Sequence, residues 1–253
     1  KTTSHFNFRR NTMQNKILEI KNFSKTYPGG KRAVDGLSLD ICAGDIYGFI
    51  GQNGAGKTTT LRAVSGILQF DEGEILIDGN SVKAQPVLCK SISAYIPDNP
   101  DIYEFLTGTQ YLNYIADIFR VDQKTRSEKI VKYADMFRIL DDLGKLVSSY
   151  SHGMKQKLVI ISALLHSPKL LILDEPFVGL DPEAAFKLKS VFKEICGQGC
   201  AIFFSTHVLD VAEKLCNKIA IIKGGKLIAC GDTDEVRGDS SLEKVFMEVL
   251  ENK

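Results

Sequence analysis

Nine residues constrain this chain more than any others: Gly51-Gln52-Asn53-Gly54-Ala55-Gly56-Lys57-Thr58-Thr59. A glycine, four residues, a second glycine, a lysine and a hydroxyl residue is the spacing of a phosphate-cradling P-loop. Glycines let the backbone turn sharply with its N–H groups facing inward, and the helix that follows adds the positive end of its dipole. The context agrees, because Asp45-Ile46-Tyr47-Gly48-Phe49-Ile50 reads as a short buried strand, and Leu61, Val64 and Leu68 fall on one side of a helix beginning at Lys57. On this reading Gly51, Asn53, Gly54, Ala55, Gly56 and Thr59 build the cradle. Lys57 reaches the β- and γ-phosphates, and the Thr58 hydroxyl holds Mg2+.

The chain of 253 residues is long enough for one large domain or two small lobes, and its net charge of +1 offers no basic footprint for nucleic acid. No apolar run reaches the eighteen or so residues that cross a bilayer, so a membrane role has to come through a partner. The six cysteines are scattered. The nearest pair, Cys196 and Cys200, has no matching second pair, which argues for reduced thiols in the cytosol over zinc or disulfides. Residues 1–12 are polar and precede Met13, as a tag or a disordered native tail would.

Beyond these limits the order of elements is informative. Ile17–Ile20 and Leu37–Ile41 read as antiparallel strands flanking the P-loop strand, with a turn at Tyr27–Lys31 between them. Tyr27 there either packs the turn or faces a bound base. Strands are expected again at 74–79 and 92–96, the latter ending at Pro97-Asp98-Asn99-Pro100. The period then becomes helical: Leu112, Ile115, Ala116 and Phe119 follow Thr107 as N-cap, and Ile130, Tyr133, Ala134 and Phe137 repeat the spacing. A third helix starts at Ser151, stops before Pro168, and presents Met154, Leu158, Ile161 and Leu165 on one face. Its capped start is either only a cap or an anion site.

The apolar run Lys169–Leu173 ends in Asp174 and Glu175, two acids that are either solvated or placed to serve a nucleotide. With a P-loop in the same chain the second reading prevails: Asp174 serves the Mg2+ shell from a strand beside the P-loop, and Glu175 polarises water at the γ-phosphate. Gly179-Leu180-Asp181-Pro182 begins a helix, and a buried strand at 200–205 delivers Thr206 and His207. Residues 219–229 around Gly224-Gly225 form a hairpin, and the charged tail from Asp232 is expected to end in a surface helix bearing Leu242, Val245, Phe246 and Val249.

Taken in this order, Tyr27, the P-loop, Tyr95-Ile96-Pro97, Tyr150-Ser151-His152-Gly153-Met154, Leu173-Asp174-Glu175-Pro176, Gly179-Leu180-Asp181 and His207 resemble the nucleotide-binding subunit of an ABC transporter from about Ile17 to Gly231. The resemblance implies an α/β P-loop NTPase core with a flanking antiparallel β-subdomain (13–97 and 151–231), a helical subdomain (98–150) and a helical tail (232–253). It implies an ATPase using ATP and Mg2+, in which Tyr27 stacks on adenine, Asp174 serves the metal, Glu175 is the catalytic base and His207 contacts the γ-phosphate. Ser151 and Gly153 would bind the γ-phosphate held by a second copy, and Asp181 would lie across that junction. The implied partners are a second copy and a separate transmembrane permease, on the cytoplasmic side of the membrane. Two departures stand out: Asp98 occupies the family's glutamine position near the metal, and the signature keeps only its serine and second glycine. That variant, followed by Lys155-Gln156-Lys157, resembles cassettes of ABC-2 and bacterial exporter type. A soluble ABC-type ATPase acting on ribosomes or DNA is the rival, and such chains usually carry two cassettes or a long coiled-coil insertion.

Overall fold

The computed structural model describes residues 15–251, so the tail expected at residues 1–12 lies outside the described residues. β1 (Lys16–Thr26) and β2 (Arg32–Cys42) pair antiparallel, and buried and exposed residues alternate along β2 from Gly36 to Ile41. β3 (Ile46–Ile50) is buried on both faces and runs into the P-loop and α1 (Lys57–Val64). β4 (Glu72–Ile77) and β5 (Asn80–Ser81) join the first pair in a sheet of order β2-β1-β4-β5. The antiparallel strands therefore form a sheet of their own, and β3 takes no place in it. The aliphatic faces of the two sheets meet instead, with Ile20, Phe23, Leu39 and Ile75 in one apolar cluster with Phe49, Leu61 and Phe203.

α2 (Pro86–Ser91), which has no clear periodic signature, leads to β6 (Ser93–Ile96). α3 (Gly108–Ile118) begins with a full capping box, in which Thr107 Oγ1 accepts from Gln110 N and the Gln110 side chain accepts from Thr107 N. Asp122 caps α4 (Gln123–Met136), and Ser151 caps α5 (His152–Leu164) by accepting from Met154 N. The alternation of strand and helix then continues with β7 (Leu170–Asp174), α6 (Pro182–Gly197), β8 (Ala201–Thr206), α7 (Leu209–Leu215) and β9 (Lys218–Lys223). β10 (Lys226–Asp232), α8 (Thr233–Arg237) and α9 (Leu242–Glu251) complete the described chain.

The second sheet has the order β10-β9-β3-β8-β7-β6 and is parallel except for the β9–β10 hairpin. Asp174 ends β7 and shares a pocket with the P-loop, although β8 lies between β7 and the P-loop strand β3. The crossover through α6 returns the chain to the slot between β7 and β3, and the all-buried β8 fills it. Because these strands run in one direction, Ile50, Asp174 and Thr206 nevertheless end along the same edge.

The helical stripes of α3 and α4 are core, as their spacing implies: Leu112, Ala116, Ala134 and Phe137 pack with Leu158 and Ile161 of α5 and Leu171 of β7. α9 lies on the surface with one face engaged. Leu242 is fully buried, and Val245, Phe246 and Val249 rest on the same cluster. The seam between helices and main sheet is held in part by His166, whose ring stacks on Phe119 at 3.7 Å and whose Nε2 lies 3.2 Å from the Ser93 carbonyl. Burial lowers its pKa from 6.5 to about 4. An unfolded chain protonates this histidine near pH 6.5 and the folded one only near 4, so its contribution is present above 6.5 and lost as the pH falls toward 4. The bound on that loss is about 3 kcal/mol. His166→Phe, which keeps the stacking ring without a proton site, should lose less stability than the parent between pH 7 and 4.5. Urea titrations at both pH values measure this, and parallel losses in the two proteins refute it.

Candidate functional site

The P-loop glycines serve two purposes. Gly54 and Gly56 adopt φ of +80° and +112°, and a Cβ on Gly56 would stand 2.6 Å from the Ala33 carbonyl oxygen. Gly56 is also the N-cap of α1 and offers no side-chain cap, unlike Thr107, Asp122 and Ser151. The first N–H groups of α1 are thus left for an anion. Gly51 and Ala55 act from behind the loop: the Gly51 carbonyl accepts from Lys57 Nζ at 2.6 Å, and the Ala55 carbonyl accepts from Gly225 N at 3.0 Å.

Lys57 is buried, and its ammonium sits in a ring of oxygens made by Gly51, Gln52 at 3.4 Å and Glu175 Oε1 at 3.7 Å. Burial pulls its pKa below the ordinary lysine value, while Glu175 and Asp174 pull it back up. A phosphate would supply the same kind of oxygen ring with more charge.

The two acids are arranged by a residue with no signature of its own. Ser205, fully buried on β8, donates to Asp174 Oδ1 at 2.5 Å and accepts from Glu175 N at 3.1 Å. It faces Asp174 across the β7–β8 pairing. The register that makes it a bridge appears only when the strands are paired. Glu175 leaves β7 with φ of +50°, a strained conformation for a non-glycine residue, and turns its carboxylate toward the P-loop. His207 meets it from the end of β8, with Nδ1 3.0 Å from Oε1 and its backbone N donating to Oε2 at 3.4 Å.

These groups surround a pocket of about 250 Å³ lined by Tyr27, Asn53, Gly54, Gly56, Lys57, Thr58, Thr59, Asp98, Asp174 and Glu175. Tyr27 is oriented by its hydroxyl, 3.3 Å from Thr59 Oγ1. Thr58 and Asp174 share the pocket, and among the described residues no group of three His, Cys, Asp or Glu is arranged to hold a metal by itself. Two protein oxygens completed by phosphate and water is a donor set that suits Mg2+.

Ser151, Gly153 and Asp181 are not among the residues lining this pocket. They belong to a separate surface, where a Cβ on Gly153 would lie 3.1 Å from the Gly179 carbonyl and Lys157 Nζ donates to Asp181 Oδ2 at 2.8 Å. Asp181 Oδ1 meanwhile accepts from Ala184 N at 2.7 Å as the N-cap of α6, and these two partners hold its carboxyl below the usual carboxylate range. Lys157 is a second participant that spacing does not disclose. Its partner lies 24 residues away.

A parallel P-loop core, a basic residue under the cradle and two strand-end acids define a nucleotide-triphosphatase. Residues 34–178 match the family of ABC transporters. The chain is 39% identical to the ABC transporter ATP-binding protein YhcH of Bacillus subtilis over 84% of its own length and 68% of the relative. It is 33% identical to the daunorubicin/doxorubicin resistance ATP-binding protein DrrA of Streptomyces peucetius, over 90% of this chain and 68% of that one. A solved ATP-binding subunit of an ABC transporter superposes with a TM-score of 0.89 at 32% identity, covering 93% of this chain and all of the other. The chain belongs to the ABC transporter family, as an ATP-binding subunit with the family's ATPase fold and activity.

Proposed function

We propose that the chain is the motor subunit of an exporter, working as a head-to-tail pair around two Mg-ATP. The carrying observation is that the pocket holds Lys57, Asp174, Glu175 and, through Glu175, His207, while Ser151 and Gly153 stand on another surface. A nucleotide pocket without the signature residues is what half of a shared site would look like. Ser151 Oγ accepts from Met154 N, so its own proton remains free to donate to a phosphate brought by a second copy.

In this scheme Tyr27 stacks on adenine, the P-loop N–H groups and Lys57 bind the phosphates, and Ser151 and Gly153 of the other copy close over the γ-phosphate. Thr58 and Asp174 would hold Mg2+, with Asp98 in the same pocket, and the ion when bound would supply positive charge to the phosphate oxygens. Glu175 takes a proton from the attacking water as its oxygen bonds to the γ-phosphorus and the bond to the β-phosphate oxygen breaks. The His207 imidazole and backbone N–H hold that carboxylate in line.

Among the described residues no helix is long and apolar enough to cross a membrane. The permease would dock beside the helical region, where Tyr111 and Ile115 of α3, with Phe119 just past its end, line a groove of about 400 Å³ shared with Ile67 of the core. Tyr103, Phe105 and Tyr114 form an exposed aromatic group near it. The outward direction is supported by the signature variant and by the drug-resistance role carried in the name of DrrA. Detergent extracts of membranes should yield the chain together with an integral membrane subunit. Recovery with ribosomes or DNA, and none with membranes, would overturn the reading in favour of a soluble ATPase.

A further inference from the structure

His152 stands where the family signature has a glycine, and nothing in the nucleotide pocket uses it. It is the first residue of α5 and is exposed, so its burial stabilises the fold little. Its ring is nonetheless closely placed. Gly179 has φ of +80°, and a Cβ built on it would lie 2.7 Å from His152 Cδ2 and 2.9 Å from Nε2. The imidazole thus occupies the space above Gly179. Two further contacts join the same segments, the approach of Gly153 to the Gly179 carbonyl and the Lys157–Asp181 ion pair. On its other side His152 borders a cavity with Asn99, Pro100 and Asp101, the loop that follows Asp98, and Lys155 on the next turn pairs with Glu104.

The Gly179–Asp181 turn is tied closely to Glu175. Val178 N donates to the Glu175 carbonyl at 3.1 Å, closing a tight turn directly between Glu175 and Gly179. A displacement at Gly179 therefore reaches Glu175 through four peptide bonds with little slack.

We propose that His152 is a positioning residue: its imidazole, seated against Gly179, locks the Gly179–Asp181 turn to the first turn of α5. The surface that meets a second copy's γ-phosphate and the strand end that carries Glu175 then move as one body. Closure on the partner's ATP sets the acid in the chain's own pocket, so the occupancy of one site is felt in the other. This rests on the two-copy reading.

His152→Ala removes the ring without weakening the helix. Nucleotide binding by the monomer should stay within twofold of the parent, because His152 does not line the pocket. The kcat for ATP hydrolysis should fall about tenfold, and in a Glu175→Gln background the protein concentration needed for half-dimerisation with Mg-ATP should rise about tenfold. His152→Phe, which keeps a flat ring, should recover most of both. A His152→Ala protein within twofold of the parent in kcat and dimerisation overturns the proposal, as does a Phe variant no better than Ala. The contact itself is read without nucleotide or dimer: Gly179→Ala should lower Tm less in the His152→Ala background than in the parent, and equal losses would mean the ring does not fill that space. Failure of Glu175→Gln alone to dimerise with Mg-ATP strikes the two-copy reading, whereas dimerisation unaffected by His152→Ala strikes only the role of His152.

Discussion

Lys57→Met is expected to weaken ATP binding by about 100-fold. The methionine keeps the length and apolar stem of the side chain, so the packing beneath the P-loop is retained, while the charge is removed. In the free protein the ammonium is already held by the Gly51 carbonyl at 2.6 Å and faces Glu175 at 3.7 Å, so it is in place before phosphate arrives. Hydrogen bonds to a charged group contribute about 1.5–3 kcal/mol each, and here the group is buried and the partner is multiply charged. A loss of about 3 kcal/mol is about two powers of ten in affinity. Titration with a fluorescent ATP analogue measures it. Binding within threefold of the parent would show that the backbone cradle alone holds the nucleotide.

Glu175→Gln is expected to slow hydrolysis by about a thousandfold, within the range of about 100 to 10,000 typical of a positioned general base, while leaving ATP binding nearly intact. The amide has the shape of the carboxylate and its oxygen can still accept from the His207 backbone N–H, so the site keeps its geometry. It cannot take a proton from water. The variant should therefore accumulate as an ATP-bound pair, visible as a shift in elution on size-exclusion chromatography with Mg-ATP and its absence with ADP. Single-turnover phosphate release measures the chemical step. Hydrolysis at the parental rate would remove Glu175 from the role of base.

The local features were legible because each is written in consecutive residues. The P-loop needs only its own spacing, and the caps Thr107 and Ser151 need only the start of the helix behind them. The amphipathic stripes of α3 and α4 report one buried face, and that is what they bury. Features made by strand order were not legible. Nothing in the run Ala201–Thr206 says that it lies between β3 and β7, and without that placement Ser205 is a serine at the end of an apolar strand. The apolar face of α9, Leu242 with Val245, Phe246 and Val249, is written in helical spacing, but the surface that it covers is not: it meets the main core only once the chain has folded.

The sequence by itself determined that this chain carries a phosphate-cradling loop on an α/β scaffold, and it singled out the residues proposed for the chemistry. Those properties follow from short-range backbone freedom and side-chain type, which a dozen neighbouring residues can encode. Only the tertiary structure decided how the acids are aimed and where the signature residues stand. Asp174 and Glu175 take their orientation from Ser205 and His207, contributed by another strand. Ser151 and Gly153 are carried on α5 against the Gly179 turn, away from their own chain's pocket. Those relations depend on long-range pairing and on the path of the chain between strands, and no local pattern contains either.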